Sequence, residues 1–248
     1  MIADNLPALL VVLPLLGAPL CLLVGRGRPA WALATLISWA VLAISVTLLF
    51  QVRDGAELHY AFGDWLPPWG IDYVVDRLAA YVLLIVSLIG AVVLPYAWRS
   101  VSNELAPRLQ PLFFTLLLLC LAGLLGIVIT GDAFNLFVLL EISSLSTYAL
   151  ISLGRDRRAL TAAYQYLIMG TIGATFYIIG VGLLYMLTGT LNMADIAARI
   201  APMEGSSTLH TAFAFITVGL ALKLAMFPLH LWLPNAYAFA PSVVTAFL

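Results

Sequence analysis

Charge is what this sequence has least of. Only 9% of its 248 residues are Asp, Glu, Lys or Arg, where a soluble domain carries roughly 25%. That shortage excludes a water-exposed surface over most of the chain. No basic run occurs, so nothing points to nucleic acid, and the formal net charge of -1 gives no handle on partners. Cysteine is scarce too. Cys21 and Cys120 lie in apolar runs, with no CxxC pair and no histidine cluster nearby. Neither a disulfide framework nor a thiolate metal site is indicated, and both read as small packing residues. No phosphate-binding glycine loop or haem-ligand arrangement is present, so no organic cofactor is implied. The first residues lack the basic stretch of a signal peptide, their one early charge being Asp4.

What is present is apolar. Hydrophobic residues make up 63% of the chain, and the mean hydropathy is +1.08. A helix needs ~20 mostly apolar residues to span a bilayer. Seven runs qualify: 6–24, 31–52, 78–98, 112–130, 134–153, 164–188 and 211–227. An eighth begins near Ser242 and stops short at Leu248. The expected fold is an all-α polytopic membrane protein with seven transmembrane helices and the start of another.

The connections alternate in charge. Those after the first, third and fifth spans carry Arg26, Arg28, Arg99, Arg108, Arg155, Arg157 and Arg158, seven of the eleven basic residues. Those after the second, fourth and sixth are mainly acidic, with Asp54, Glu57, Asp64, Asp72, Asp76, Asp132, Asp195 and Glu204. The positive-inside rule places the basic connections in the cytoplasm and the N-terminus outside. The connection after the second span, "ELHYAFGDWLPPWGIDYVV", alternates apolar and polar residues around turn signals. It reads as a short outer β-hairpin anchored by Trp65 and Trp69, or as an irregular interfacial loop. "LNMADIAARIA" reads as a short interfacial helix capped by Asn192, with Asp195 in its first turn. Asp132 reads as an outer cap on the fifth span, and Gly170, Gly173, Gly180 and Gly182 as helix-packing positions.

Two side chains that are charged at neutral pH fall well inside spans. Glu141 lies ~11 Å in from residue 134, and Lys223 ~18 Å in from residue 211. Both spans run inward from the outer side, so both charges fall near the middle of a core ~30 Å thick. Each costs ~2.5–3.5 kcal/mol at that depth and cannot face lipid cheaply. Ser144 and Tyr148, at i+3 and i+7 from Glu141, share its face and add a polar stripe. Gly219, four residues before Lys223, permits close backbone approach. Pro228 cannot donate to the carbonyl of Leu224, so the seventh helix is expected to kink or break there. His230 follows the break, as either a proton relay or an interfacial hydrogen-bonding group. A static ion pair is the plain alternative for Glu141 and Lys223. Intramembrane ionisable residues are functional by default, which favours a proton device.

Three motifs then carry a resemblance: "TGDAFNLFVLLEISSLSTYALI", "YLIMGTIGATFYIIGVGLLYMLTGTLNMADIA" and "GLALKLAMFPLHLWLPNAYAFAPS". Together they resemble the proton-conducting membrane transporter family, which includes antiporter-like subunits of respiratory complex I and of Mrp-type Na+/H+ antiporters, most of all the D-type Mrp chain. The resemblance implies a glutamate at Glu141, a lysine on a discontinuous seventh helix at Lys223, and a conducting histidine at His230 within an F-P-L-H-x-W-L-P signature. It also implies an outer hairpin, a bacterial cell membrane, and partner subunits exchanging H+ and Na+. The family pattern continues L-P-D-A-H where this chain has Asn235 and Tyr237. A full member carries a second repeat, so the chain is expected to be a truncated or split subunit. It would comprise 1–107 (three helices and the hairpin) and 108–248 (a first antiporter repeat). Two other readings follow: a proton-pumping module of a complex I-type or hydrogenase redox complex, and a non-transporting scaffold fragment.

Overall fold

The computed structural model describes residues 5–203 and 205–248. Asp4 and Glu204, both counted in the charge pattern, lie outside these described residues. The helices are α1 (Leu6–Val24), α2 (Gly27–Gln51), α3 (Arg77–Glu104), α4 (Gln110–Ile129), α5 (Ala133–Ser152), α6 (Arg158–Thr188), α7 (Met193–Ile200), α8 (Ser207–Lys223), α9 (Leu233–Phe239) and α10 (Ser242–Phe247). Strands β1 (Leu58–Ala61) and β2 (Asp72–Val75) lie between α2 and α3. Among the described residues, α1 to α6 are long and apolar enough to cross a membrane, and α8 is a shorter apolar helix of 17 residues. The chain is a multi-pass membrane protein.

Several helices outrun the apolar windows read from sequence. α2 begins four residues before Trp31, and α3 continues through Arg99 to Glu104. α6 starts at Arg158 and runs for 31 residues. Hydropathy marks only the stretch that lipid covers. Backbone hydrogen bonding carries the helix on into the interface, where arginine and serine are good enough helix residues.

α4 is the central staff. Phe113, Phe114, Leu117, Leu118, Leu121 and Leu125 are all fully enclosed. In its most apolar window 67% of residues are buried, against 28% for α2, so α2 is the lipid-facing helix of the two. α1 and α5 flank α4, α3 packs on α2, and α6 packs between α5 and α8. Pro95 in α3 has no N–H to offer the carbonyl of Ala91, a vacancy that is costly in lipid. The Trp39 indole nitrogen on α2 donates to that carbonyl at 3.1 Å. Trp31 donates likewise to Leu94 O at 2.8 Å.

The α6–α8 contact depends on glycine. A Cβ at Gly219 would meet the Gly173 carbonyl and the Tyr177 nitrogen, each at 2.7 Å. One at Gly180 would meet Ala212 O at 2.7 Å. These match the expected packing roles. Gly182 does not, having nothing within 4 Å of a built Cβ. Its face of α6 carries no tight neighbour among the described residues.

Between α2 and α3, β1 and β2 pair antiparallel, His59 opposite Val74 and Ala61 opposite Asp72. The pairing decides for a hairpin over an irregular loop. His59 Nδ1 and Asp72 Oδ2 lie 2.8 Å apart, tying the strands side chain to side chain. The hairpin is joined to the α4–α5 connection: Gly131 N donates to Asp72 O at 2.8 Å, and Tyr73 bridges to Thr130. Met193 N in turn donates to Gly131 O at 2.8 Å, so α7 joins the same layer. Asn192 caps α7 through its side chain, accepting from Asp195 N at 3.0 Å.

Gly219→Ala is expected to destabilise by about 1–3 kcal/mol, because the clash is with backbone that cannot rotate away. Gly182→Ala is expected to be neutral or slightly stabilising. Thermal unfolding of both variants in one detergent checks the contrast.

Candidate functional site

The fifth helix begins at a well-made cap. Asp132 accepts from Asn135 N at 2.7 Å. Burial raises its carboxyl above the usual carboxylate range, opposed by hydrogen bonds from the Asn135 and Phe134 backbone. The residue is a helix-starting cap, as its position suggested. Two and a half turns further along α5 comes Glu141.

Lys223 stands at the last residue of α8, where the negative helix end favours a cation. It is the chain's one lysine, the other ten basic residues being arginine. Its ammonium donates to Glu141 Oε1 at 2.8 Å and to Ser144 Oγ at 2.9 Å. Its side chain is 8% exposed and that of Glu141 20%. Two oxygens one turn apart on α5 thus hold one nitrogen from α8.

The seventh helix ends earlier than its proline suggested. α8 stops at Lys223, five residues before Pro228, and residues 224–232 run as turns until α9. The stop is a Schellman motif. Met226 N donates to Ala221 O at 3.0 Å, Ala225 N donates to Leu222 O at 3.3 Å, and Ala225 takes a left-handed φ of 50°. Ala225 ends the helix, and Pro228 excludes its resumption by disfavouring helical backbone at Phe227.

Tyr148 supports the site through packing. Its hydroxyl lies against Gly170 of α6 without a well-formed hydrogen bond. Its ring meets Tyr166 edge-on at 4.5 Å. Tyr166 stacks flat on Trp232 at 3.9 Å, and the Trp232 indole donates to Leu222 O at 3.3 Å. This column props the end of α8 beside Lys223. Tyr166 and Trp232 are additional site residues that the reading of polar positions passed over. His230 is not brought to the pair: its ring faces Phe227 at 5.5 Å, and Nδ1 is buried without a partner.

Ser144 also opens onto a cavity of about 320 Å³. Ser143, Thr147, Tyr166 and Tyr237 line it with Ser144, together with the apolar Val86, Ile89, Leu124, Phe247 and Leu248. Such a space holds several waters, and its hydroxyls supply the partners that ordered water needs. Ser143 and Thr147 spend their protons on helix carbonyls of α5, which leaves oxygen lone pairs facing the cavity. The arrangement therefore combines an ammonium, a carboxylate and a hydroxyl that touches the ammonium and borders the cavity.

Residues 130–248 match the family described as NADH:quinone oxidoreductase/Mrp antiporter, TM. The chain is 46% identical to the NADH-quinone oxidoreductase subunit N of Desulforudis audaxviator, over 98% of this chain and 49% of that one. This chain belongs to that family. It is 33% identical to the D chain of the Na(+)/H(+) antiporter of Alkalihalophilus pseudofirmus, over 83% of this chain and 41% of that one. It superposes with a TM-score of 0.89, at 33% identity, on a chain of a membrane-bound sulfane sulfur reductase, an archaeal respiratory membrane complex, covering 97% of this chain and 49% of that one. The chain spans about half the length of the curated relatives it matches.

Removing one partner of a buried ion pair strands the other. Glu141→Gln or Lys223→Met alone is expected to cost about 3 kcal/mol, and the double variant less than either. A double-mutant cycle by thermal unfolding checks this. Ala225→Gly is expected to stabilise by about 0.5–1 kcal/mol, because glycine takes the left-handed cap freely.

Proposed function

We propose that the chain is the first-repeat portion of a proton-translocating, antiporter-like subunit of a multisubunit membrane complex. Residues 1–107 form the supporting helices and hairpin, and 108–248 the repeat. α8, the turns after it and α9 together make one interrupted seventh span, a form in which transporters build ion sites. Basic connections face the cytoplasm and the N-terminus lies outside, by the charge alternation. Glu141 is the loading carboxylate and Lys223 the coupled switch. Ser144 links Lys223 to the cavity, Tyr148 braces the site, and Pro228 keeps the span interrupted. His230, past the break, relays protons toward the cytoplasmic side.

One observation carries this reading: the 2.8 Å contact between Lys223 Nζ and Glu141 Oε1, with Ser144 as second acceptor. Inside a membrane each group's proton affinity depends on the other's nearness. Attraction holds both in the charged form, while desolvation drives both toward neutrality. A small separation of α5 and α8 therefore changes which group holds the proton. The subunit itself carries ions and performs no bond chemistry.

Two driving forces fit this site. The 46% identity to a quinone-oxidoreductase subunit favours a redox-driven complex, with electron transfer in partner subunits. The 33% identity to a chain of an Na(+)/H(+) antiporter supports the second reading, Na+/H+ exchange in an Mrp-type assembly. Iron–sulfur or nickel subunits copurifying with the chain support the first, and small antiporter subunits the second.

The full-length subunit, reconstituted with its partners in vesicles, tests the relay by proton flux. Glu141→Gln and Lys223→Ala are each expected to lower flux at least about tenfold, ~1.4 kcal/mol in barrier. Ser144→Ala is expected to fall between these variants and wild type. Unchanged flux in Glu141→Gln would leave the pair a static strut.

A further inference from the structure

The inner end of α6 carries a second polar constellation, separate from the ion pair. Arg158, Thr161 and Gln165 fall on one face of its first two turns. Asn235 and Phe239 stand on α9, which packs beside them. Together they line a cleft of about 320 Å³. The Arg158 guanidinium carbon lies 5.6 Å from the centre of the Phe239 ring, a cation–π contact that holds the charge at the cleft wall. Asn235 donates to Gln165 Oε1 at 3.5 Å, which leaves the Gln165 amide nitrogen out of that bond.

No acid neutralises this arginine among the described residues. Asp156, two residues away, accepts from the Arg158 backbone nitrogen at 2.9 Å. Glu104 accepts from Ser100 and from the Ser242 backbone. Asn235 brings an amide and no charge to the cleft wall, which leaves the cleft positive. Arg155 and Arg157 add charge of the same sign on the adjoining connection.

Depth indicates what meets this cleft. α6 has 31 residues, about 46 Å of helix against a hydrocarbon core of about 30 Å. Its first turns therefore reach past the hydrocarbon. On those same turns Leu160 is 60% exposed, and Tyr164 is an exposed aromatic residue of the kind that sits at the membrane interface. An apolar flank beside a positive cleft matches a lipid, acyl chains against the flank and phosphate in the cleft. A free phosphate has no use for the flank.

We propose that this cleft binds the phosphate of an anionic phospholipid. Arg158 is the charged anchor, and Thr161 and Gln165 are neutral donors. That the leaflet is the inner one rests on the proposed orientation; the binding itself does not. Basic pockets between membrane helices are a recurrent way of holding such headgroups.

The test counts lipid retained by the full-length protein. It is assembled in nanodiscs of phosphatidylcholine with a minor share of phosphatidylglycerol, and bound lipid is read by native mass spectrometry. Arg158→Gln is expected to lower phosphatidylglycerol retention about tenfold. Asn235→Asp keeps the side-chain shape and places a carboxylate beside the guanidinium, with a loss in the same direction. Arg26→Gln, which removes an arginine on the α1–α2 connection, is expected to leave retention unchanged. Full retention in Arg158→Gln overturns the proposal. So does an equal loss in Arg26→Gln, which would mean diffuse attraction only. Displacement of the lipid by millimolar inorganic phosphate would assign the cleft to a free anion instead. Because lipid retention is read apart from ion flux, failure of the proton relay leaves this result standing.

Discussion

The contact between Lys223 and Glu141 governs how the surrounding helices are arranged. Each charge alone would cost ~2.5–3.5 kcal/mol in the middle of the bilayer. Pairing keeps that cost down only if α5 and α8 are held at one distance. α6 packs against both and sets that distance. It does so with small residues: Gly173 lets the α8 backbone approach at Gly219, and Gly170 admits the Tyr148 hydroxyl from α5. At its N-terminal end, the hairpin, the Gly131 connection and α7 clamp the start of α5. The depth of Glu141 is thus set from one end of α5, and its lateral position from α6.

The identity of the cation matters as much as its position. An arginine could make the same contact with more hydrogen bonds, but it does not lose its proton in proteins. Lysine does so when desolvated. Ten of the chain's basic side chains are arginine, set at helix ends and connections, while its single lysine occupies the enclosed site. The ammonium has three protons to give, and two go to oxygens on α5. Ser144 differs from Glu141 in being able to accept and donate at once. It also borders the cavity that Ser143 and Thr147 line with it.

Some of this was legible in the sequence, and the rest depended on contacts between distant residues. Counting along the spans put Glu141 and Lys223 at similar depth, and the i+3 spacing put Ser144 on the right face. Asn192 and Asp132 announced themselves as caps by residue type. Pro228 draws the eye as the end of α8, because a stop at Ala225 leaves no sign in sequence. Alanine is a strong helix former, and only the surrounding fold holds it left-handed. The Tyr148–Tyr166–Trp232 column joins residues 18 and 66 positions apart, beyond the reach of any local pattern. Gly182 carried the same small-residue signal as Gly173, yet faces no close neighbour. Composition cannot tell which side of a helix another helix will take.

Two tryptophan indoles donate to helix carbonyls, one within α3 and one at the end of α8. In α3, Pro95 strips Ala91 O of its donor, and Trp39 replaces it. At the end of α8 the Schellman bonds already engage the last carbonyls, Ala221 O from Met226 N and Leu222 O from Ala225 N, and Trp232 adds a second donor to Leu222 O. That carbonyl belongs to the residue just before Lys223. The ammonium's hydrogen-bond acceptors among the described residues are the two on α5. Any change in the α5–α8 spacing then acts directly on the bonds that hold the ammonium.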